Sequence, residues 1–546
     1  MADVLTTTQR SYNMSCIRSE KTRPEIRLRD LLISRGLSNF EMQPREIPGK
    51  PDFYFSDRRA ALFVDGCFWH GCKACFQEPQ TNRKFWNSKI SSNITRDGVV
   101  NKLLGVNGIA VIRIKEHELK ENPNKVLIKI EKKLREDYCP KVLDLFAGAG
   151  GFSEGFIQAG CEIVGHIEMD KKACSTLTTR MIYHALLKKG LLGEYRKYIL
   201  GKISRDALIE KYGLQKERDS VICAEIGKEN YGELIKQIKE RLNGQELDVI
   251  VGGPPCQAYS YIGRARDDKN MRRDGRNFLY RYYVEFLKSL KPKLFVFENV
   301  PGLETAGVGR HLRDMRRLMK RAGYSTDYKI LNAADFGVPQ NRKRIIMIGW
   351  SKTSGIINYP DFPISEYNYA VKDFLAGLPK IQAGTGRKVR KLTQSNMLLE
   401  KLSILNPEFG ILMDHVARPN TRRDLEIYRR AVLAKQKGVN IKYNRLPERL
   451  KTHKNENGFL DRYKVIDPNI RGTHTVVAHI AKDGHFYIHP DIKQNRSLTI
   501  REAARLQTFP DDYKFEGERG PQFKQIGNAV PPLLAKLIAS AILRLT

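Results

Sequence analysis

Apolar and polar positions alternate along the first 138 residues in a way that predicts a small α/β unit. Residues 24–36 (PEIRLRDLLISRG) begin with proline, keep three leucines on one face and stop at glycine, which is typical of a helix. Short apolar runs bounded by turn residues predict strands. The further predicted elements are strands at 51–55, 60–66 and 108–114 and helices at 83–104 and 124–137. Together they make an α/β domain over residues 1–138.

A longer rhythm of apolar runs begins at residue 141. The runs lie at 142–146, 163–168, 220–225, 248–253, 293–299, 328–331 and 344–349. Amphipathic segments such as 278–290 and 311–323 lie between them. Strands that alternate with helices predict a doubly wound, largely parallel sheet.

The rhythm stops over residues 351–470, which are polar, basic and irregular. Helical patterns return at 496–543. The pattern therefore predicts a catalytic domain in two parts, 141–350 and 471–546, with a separate recognition domain between them.

The charge of the chain indicates a polyanionic partner. Its 546 residues carry 95 Lys and Arg against 61 Asp and Glu, a formal net charge of +34. Such an excess is typical of nucleic-acid-binding proteins, although a general solubility charge is the alternative. No apolar run reaches the roughly 18 residues of a membrane span, so we expect a soluble, cytoplasmic protein without a membrane partner. Nine cysteines over this length do not predict a disulfide framework.

The run 144-DLFAGAGGFSEGF-156 joins a predicted strand to a predicted helix through a glycine-rich loop. Gly148 and Gly150 would let the backbone approach a ligand closely. Glu168 ends the next strand, 20 residues after Gly148, and at that spacing a carboxylate binds the ribose of a nucleoside cofactor. The loop alone also fits a dinucleotide site or a tight turn.

Two further motifs lie at the ends of predicted strands, which share the edge of an open α/β sheet where ligands bind, and in a third motif two arginines alternate about a strand. The stretch GGPPCQAYS would present Cys256, although a lone cysteine is more often an inert buried residue. Glu298 lies in FENVPG, and Arg342 and Arg344 lie in QNRKR. A thiol, a carboxylate, two arginines and a glycine loop on one edge indicate an enzyme site.

Residues 141–546 resemble a cytosine-5 DNA methyltransferase. The resemblance is carried by DLFAGAGG, GGPPCQ, ENV, QNRKR, RSLTIREAARLQTFPDDY and IGNAVPP, which stand in the order usual for that family. It implies a doubly wound, S-adenosylmethionine-dependent methyltransferase sheet and methyl transfer to carbon 5 of cytosine in duplex DNA. It also makes residues 351–470 the target recognition domain, which would read base edges.

The resemblance implies roles for the motif residues. Cys256 would attack carbon 6 of cytosine, and Glu298 would contact ring nitrogen 3. Arg342 and Arg344 would hold Glu298, the base or a nearby phosphate. Because a stacked base cannot reach Cys256, base flipping is implied.

The cofactor residues implied by the resemblance surround the glycine loop. Phe146 would stack on the adenine, Glu168 would bind the ribose and Asn528 would help to close the methionine end. The family's aspartate against adenine corresponds to Glu225, whose longer side chain departs from the pattern. The full set is Phe146, Gly148, Gly150, Glu168, Glu225, Pro255 and Asn528.

The stretch 65-DGCFWHGCKACF-76 places three cysteines and a histidine close together. Cys67, Cys72 and Cys75 would need a fourth ligand to form a tetrahedral zinc site. His70 is the nearest histidine in sequence, whereas His117 follows a predicted strand and could complete a Cys3His site. Three reduced, buried cysteines and a redox-active CKAC pair are the alternatives.

Residues 1–137 resemble a Vsr-type, very-short-patch repair endonuclease. Glu25 and the stretches PGKPDFYF, LFVDGCFWHGC and FWNSKI carry the resemblance, which covers nearly the whole predicted domain. It implies a restriction-endonuclease-like fold with structural zinc. Such enzymes nick DNA beside T·G mismatches, which arise when 5-methylcytosine deaminates.

The Vsr resemblance implies a second catalytic site. Asp52 would ligate Mg2+ with help from the backbone carbonyl of Val64, and Glu25 would support that site. His70 would act as general acid or base at the scissile phosphate. Asp65 departs from the family's pattern and is a candidate second metal carboxylate. The side chains that would wedge into the base stack are Phe68, Trp69 and Trp86.

We therefore predict one chain that makes 5-methylcytosine and nicks the T·G mismatches that its deamination produces. It would act as a monomer on duplex DNA, with S-adenosylmethionine, Mg2+ and Zn2+. A self-contained restriction–modification protein is the enzymatic alternative. The same sequence also fits an N-terminal domain that only clamps DNA, or a methyltransferase that acts on tRNA.

Overall fold

The chain divides into two compact units, Met1–Cys139 and Pro140–Thr546. The computed structural model describes residues 9, 22–35, 37–56, 58–72, 74–76, 78, 82–107, 109–136, 139–255, 278–306, 309–352, 354, 356, 358–365, 369–453, 455–457 and 460–545. Among these residues, no helix combines the length and apolar character that a membrane crossing requires. Both units are mixtures of helices and strands.

The N-terminal unit is an α/β structure built on one small sheet. Its strands are β1 Glu41–Met42, β2 Phe53–Phe55, β3 Ala60–Asp65 and β4 Ala110–Lys115, and its helices are α1 Arg23–Ser34, α2 Arg83–Val106, α3 Glu116–Glu121 and α4 Pro123–Glu136. The sheet order is β1-β2-β3-β4, with β3 and β4 parallel and the other neighbours antiparallel. The helices and strands that the apolar pattern predicted in this unit are confirmed, and β1 and α3 are additional.

The leucine face of α1 packs on the sheet of this unit. Leu28 and Leu32 are fully buried in a core that they share with Phe53. Because β3 and β4 are parallel, Asp65 and Lys115 are register partners at the carboxyl ends of the two strands. Polar side chains that are distant in sequence are thereby brought to one edge.

The C-terminal unit contains a seven-stranded sheet in the residues that the structure describes. The strands of the whole unit, in chain order, are β5 Lys141–Leu145, β6 Glu162–Glu168, β7 Val221–Cys223, β8 Val249–Gly252, β9 Leu294–Asn299, β10 Tyr324–Asn332, β11 Gln340–Asn341, β12 Lys343–Ser351, β13 Gly386–Lys391, β14 Ile411–Val416 and β15 Thr473–His474. The large sheet has the order β10-β12-β9-β8-β5-β6-β7. Neighbouring strands are parallel, except that β12 is antiparallel to β9 and β10. Each strand that the apolar runs predicted is present.

The helices of this unit follow in chain order. They are α5 Gly151–Gln158, α6 Lys171–Lys188, α7 Leu192–Ile199, α8 Arg205–Tyr212, α9 Gln215–Asp219, α10 Tyr231–Leu242, α11 Leu279–Leu290, α12 Arg310–Arg321, α13 Val371–Leu375, α14 Met397–Lys401, α15 Arg422–Gln436, α16 Ile500–Leu506, α17 Arg519–Asn528 and α18 Pro532–Ile542. Short 3-10 turns lie at Pro301–Leu303, Ala333–Phe336, Tyr443–Arg445, Glu448–Leu450 and Ala478–Ala481. The two amphipathic helices that the sequence predicted at 278–290 and 311–323 are confirmed as α11 and α12.

Helices cover both faces of the large sheet. Alternate strand residues point to opposite faces, so Leu143 and Ile250 pack against α10, α11 and α12, whereas Val142 and Val249 pack against α5 and α18. Each face therefore has its own apolar core, and both edges of every central strand are buried by neighbouring strands.

Residues 351–470 contain more regular structure than the sequence predicted. β13 and β14 form an antiparallel hairpin, and α15 packs into a separate core with later residues such as Ile488. A capping box begins α15, because Thr421 Oγ1 accepts from Asp424 N at 3.1 Å and Asp424 Oδ2 accepts from Thr421 N at 3.3 Å. The arginine-rich composition of this segment obscured both elements in the sequence.

The first and last helices of the catalytic unit meet at glycines. A Cβ on Gly151 would lie 2.0 Å from Val530 O, and a Cβ on Gly155 would lie 2.4 Å from Lys536 N and 2.5 Å from Pro532 O. The backbones of α5 and α18 therefore approach with no room for a side chain between them.

We predict that Gly155→Ala destabilises the protein by about 3 kcal/mol or prevents its folding, because a Cβ forced against backbone must displace a helix. Gly193→Ala is the matched control in α7, where a Cβ would meet nothing within 4 Å. Its stability should change by less than about 1 kcal/mol. Urea unfolding of both variants measures the difference, and equal losses would contradict the close approach of α5 and α18.

Candidate active sites of the two units

The strand order of the large sheet reverses between β5 and β8, because β6 lies on one side of this pair and β9 lies on the other. At such a switch point the loops after the two strands diverge and leave a crevice at the carboxyl edge of the sheet. The glycine-rich loop follows β5, the Pro-Pro segment follows β8, and Glu298 lies at the end of β9. These three motifs therefore lie on one edge.

Glu168 joins the end of β6 to the glycine-rich loop. Gly148 N donates to Glu168 Oε2 at 2.8 Å, and the amides of Met169 and Asp170 donate to Oε1 at 2.9 and 2.8 Å. Phe146 and Gly148 have φ angles of 57° and 55°, in the left-handed region. Glu168, which the sequence predicts to bind the ribose of a cofactor, therefore also fixes the turn of the glycine-rich loop.

The glycines of this loop have different surroundings. A Cβ on Gly150 would lie 2.7 Å from Leu177 Cδ2 and 2.9 Å from the Tyr513 hydroxyl, whereas a Cβ on Gly148 would meet nothing within 4 Å. Packing therefore requires Gly150, and Gly148 borders open space. Open space beside a glycine loop at a switch point fits the approach of a nucleoside cofactor.

Asp144 lies under the glycine-rich loop. It accepts a hydrogen bond from Ser153 Oγ at 2.5 Å, which links β5 to the first turn of α5. Burial raises the pKa of Asp144 to about 7.

Glu298 and Arg344 form an ion pair at the same edge. Arg344 Nε lies 2.7 Å from Glu298 Oε1, and both side chains are largely shielded from solvent. A glycine is needed beside them, because a Cβ on Gly253 would lie 2.7 Å from Glu298 Oε2. Asn299 Nδ2 donates to Pro254 O at 3.3 Å and ties the end of β9 to the segment after β8. The carboxylate is fixed between β12 and that segment.

Arg342 has different surroundings from Arg344. It is 1% exposed, and its Nη1 donates to Val476 O at 2.8 Å and to Gly527 O at 3.3 Å. These contacts connect the segment between β11 and β12 to the loop that contains Val476 and to the end of α17, both much later in the chain. Arg342 therefore positions the loops around the site, a role that the sequence did not predict.

The other predicted methyl-transfer residues are located only in part. Cys256 lies outside the described residues, and Pro255 before it is half-buried. Asn528 is exposed at the end of α17. Glu225 is exposed after β7, and its carbonyl accepts from Asn230 Nδ2 at 2.7 Å. The functions of these residues stay predictions.

Three buried arginines around α16 also escaped the sequence analysis. Arg496 pairs with Glu502 at 2.7 Å, Arg505 pairs with Asp511 at 2.6 Å, and Arg501 donates to three backbone carbonyls, one of them on β14. Burial raises the pKa of Glu502, but the charge of Arg496 outweighs it and holds that pKa below its usual range. Arginines inside an otherwise apolar helix were the available signal in the sequence.

In the N-terminal unit, Asp52 lies just before β2 and faces the end of β3. Val64 N donates to Asp52 Oδ2 at 2.6 Å. Burial, with the charges of Glu25 and Asp65, raises the pKa of Asp52 to about 7. Glu25 accepts from Thr22 Oγ1 at 2.6 Å and is buried itself. Neighbouring buried carboxylates repel one another, and a divalent cation would relieve that repulsion, so these residues fit a Mg2+ site.

Asp65 is buried at the end of β3 against two cations from β4. Arg113 Nη1 lies 2.6 Å from Asp65 Oδ1, and Lys115 Nζ lies 3.0 Å from Asp65 Oδ2. Both carboxylate oxygens are therefore engaged by side chains of the neighbouring strand. The sequence proposed Asp65 as a second metal carboxylate, and no local pattern in it revealed the two cations.

His70 is oriented by a carboxylate that the sequence analysis missed. Its Nδ1 lies 2.6 Å from Asp97 Oδ2, and Arg113 Nη2 lies 3.2 Å from Asp97 Oδ1. Asp97 belongs to α2, whose basic residues gave no sign of a functional carboxylate. A histidine held through Nδ1 keeps Nε2 for proton transfer.

The three clustered cysteines meet a histidine from beyond β4. The Sγ atoms of Cys67, Cys72 and Cys75 lie 3.2, 3.5 and 3.5 Å from His117 Nδ1. Zn–S and Zn–N bonds of usual length in a tetrahedral site separate sulfur from nitrogen by about 3.6 Å. The four side chains therefore fit zinc, and His117 rather than His70 completes the set.

The aromatic residues near this cluster pack on one another. Ring centroids lie 5.3 Å apart for Phe68 and Trp69, 5.3 Å apart for Phe68 and Trp86, and 5.8 Å apart for Trp69 and Trp86. All three side chains are half-buried, and the adjacent Phe85 is exposed. They form an apolar surface that joins the cysteine loop to α2.

Two family models match the chain. Residues 140–189 and 214–544 match the C-5 cytosine-specific DNA methylase model, and residues 2–77 match the DNA mismatch endonuclease Vsr model. The first match omits residues 190–213. The second stops before Asp97 and His117.

Curated relatives and a solved structure agree with these matches. The Type II methyltransferase M.Bpa9945I of Bacillus paralicheniformis is 40% identical over an alignment of 440 positions that covers 73% of this chain and 98% of that protein. M1.HphI of Haemophilus parahaemolyticus is 32% identical over 75% of this chain and 88% of that protein. The crystal structure of an E. coli prophage protein, assigned as a DNA modification methyltransferase, matches with a TM-score of 0.50 at 24% identity. That match covers 74% of this chain and 99% of the prophage protein, and it shows the fold.

We expect the purified protein to contain one zinc ion per chain and Cys72→Ser to lose it, because serine does not supply a thiolate ligand. Cys139→Ser is the matched control, since Cys139 is an exposed cysteine outside the cluster. Metal analysis by mass spectrometry gives the zinc-to-protein ratio of each. An unchanged ratio in Cys72→Ser would refute the site.

Proposed function

The chain belongs to the C-5 cytosine-specific DNA methylase family and carries a Vsr endonuclease domain, and from this we propose that it both makes 5-methylcytosine in duplex DNA and nicks T·G mismatches. The methyl-transfer half rests on the crevice at the β5–β8 switch point, bordered by Gly148 and by the Glu298–Arg344 pair. The repair half rests on the grouping of Asp52 and the His70–Asp97 pair in one unit with the Cys3His cluster.

The crevice fits S-adenosylmethionine, which supplies an electrophilic methyl group when bound. The loop fixed by Glu168 leaves open space at Gly148. Phe146 would lie against the adenine, Glu168 would reach the ribose, and Asn528 would border the methionine end. Glu225 would stand at the position of the family's aspartate. Because glutamate is one methylene group longer, its carboxylate would contact the adenine at a greater distance from the backbone.

The reaction on cytosine would be carried by three side chains. Cys256 would add as a thiolate to carbon 6, which makes carbon 5 nucleophilic. Glu298, held by Arg344, would form a hydrogen bond at ring nitrogen 3, where charge develops. Once carbon 5 carries the methyl group, solvent water would take its remaining proton, and the carbon 6–sulfur bond would break with its electron pair returning to the Cys256 thiolate, which restores the ring. The target base would have to leave the duplex stack to reach Cys256.

We expect Cys256→Ala to abolish transfer of a labelled methyl group to DNA, because no nucleophile remains. Arg344→Gln should slow the transfer about a hundredfold, since Glu298 loses the partner that orients it. Cys139→Ala is the matched cysteine control and should retain full activity. Bisulfite sequencing of the product identifies the modified position. Methylation by Cys256→Ala would refute this mechanism.

The repair half would use acidic residues and an oriented histidine. Mg2+ supplies positive charge at the scissile phosphate when bound, and Asp52 with Glu25 would hold it. His70, oriented by Asp97, would move the proton at the phosphate. The apolar surface of Phe68 and its neighbouring tryptophans would wedge into the base stack, as apolar side chains do when they kink DNA.

We expect the protein to nick a T·G duplex with Mg2+ and Asp52→Asn to lose this activity. Because the pKa of Asp52 is raised to about 7, its proton competes with Mg2+ below that pH. At limiting Mg2+ the rate should therefore fall about tenfold per pH unit below 7 and level off above it. The measurement is strand nicking of a labelled duplex from pH 5.5 to 8.

Two control substrates are compared with the T·G duplex. In one a T·A pair replaces the mismatch, and in the other an unmethylated C·G pair replaces it. Nicking confined to T·G supports mismatch repair. Cleavage of the unmethylated C·G duplex, with protection by methylation, would instead make the chain a self-contained restriction–modification protein. An Asp52→Asn variant as active as the original would exclude Asp52 from catalysis.

A further inference from the structure

Residues 190–213 lie inside the catalytic unit but outside the match to the methylase family. They form α7 and α8, which continue from the end of α6. Tyr195, Ile199 and Leu208 of this insert are buried in one apolar cluster with Phe409 and Met413. The rings of Tyr195 and Phe409 lie 5.9 Å apart. The insert is therefore the support on which strand β14 packs.

Three of the five cations of the insert have partners within the unit. Lys197 and Lys211 pair with Glu194 at 2.6 and 3.6 Å. Arg205 donates to Ser175 O at 2.9 Å and to Thr179 Oγ1 at 3.1 Å. These contacts hold α7 and α8 in place.

Strand β13, the partner of β14 in the hairpin, carries charge of a different kind. Its sequence GRKVRK contains four cations and no carboxylate. Arg387, Arg390 and Lys391, with Thr393, line a groove of about 470 Å³. Among the described residues none of these three cations forms an ion pair, whereas Lys388 lies within electrostatic reach of Asp414. The hairpin thus presents unpaired positive charge on a rigid support.

We propose that the β13 groove binds the phosphate backbone of duplex DNA, and this inference rests on the proposed action on DNA. Arg387 and Lys391 are four residues apart on an extended strand, which separates them by roughly 13 Å. That distance spans more than one phosphate along a DNA strand, whose axial rise is about 3.4 Å per nucleotide. Such contacts set the register of the protein on the duplex without reading its sequence.

The test uses the full chain with Arg387→Gln, Arg390→Gln and Lys391→Gln combined. Fluorescence anisotropy with a labelled duplex of arbitrary sequence gives the Kd between 50 and 200 mM salt, because contacts to the phosphate backbone do not depend on the sequence. Three lost phosphate contacts should reduce the slope of log K against log salt concentration by about 2.7, since each contact contributes about 0.9. At 50 mM salt the Kd should rise at least tenfold, and methyl transfer at saturating DNA should be unchanged.

The matched control combines Lys236→Gln, Lys239→Gln and Lys320→Gln, which removes the same charge from three exposed residues on α10 and α12 that form no ion pair within the described chain. The control should keep the slope of the unmodified protein. Equal slopes in the two triple variants would overturn the proposal, because the effect would then be one of net charge. Absence of methyl transfer in the unmodified protein would overturn the proposed function instead, since the slope is measured by binding alone.

Discussion

The close approach of the C-terminal segment to helix α5 is the constraint on which the catalytic unit depends. Gly151 and Gly155 leave room only for backbone, so α18 packs directly on the helix that follows the first strand. The segment before α18 is thereby brought to the glycine-rich loop, where the Tyr513 hydroxyl donates to Ala149 O at 2.5 Å. Residues more than 350 positions later in the chain therefore contact the glycine-rich loop.

Buried arginines carry this arrangement into the recognition region. Arg501 donates to a carbonyl of β14, and Arg342 donates to Val476 O, before α16, and to Gly527 O, within α17. Loss of such an arginine would leave buried carbonyls without a partner, at a cost of about 1–3 kcal/mol each, so these contacts favour one arrangement over others. We infer that these arginines fix the geometry between the hairpin and the crevice more than they stabilise the fold.

The N-terminal unit uses one loop for two purposes. Cys67, Cys72 and Cys75 turn toward His117, and His70 in the same loop turns toward Asp97. A bound zinc ion would therefore hold the loop that carries the histidine. Asp65, next to this loop, pairs with two cations of β4, and with His70 and Asp97 it forms a second group of side chains close enough together to hold a metal ion.

The sequence by itself determined the strands of the large sheet, the main elements of the N-terminal unit, the two families and the residues of the glycine loop, since these depend on local periodicity and motif spacing. It missed Asp97, Arg113 and the capped helix α15, whose neighbours in sequence gave no distinctive pattern. The prediction that His117 completes the cysteine cluster is confirmed, whereas only the tertiary structure paired His70 with Asp97 and set Arg342 apart from Arg344. The physical reason is that parallel strands and returning helices join residues through register and packing, which no local pattern of side chains records.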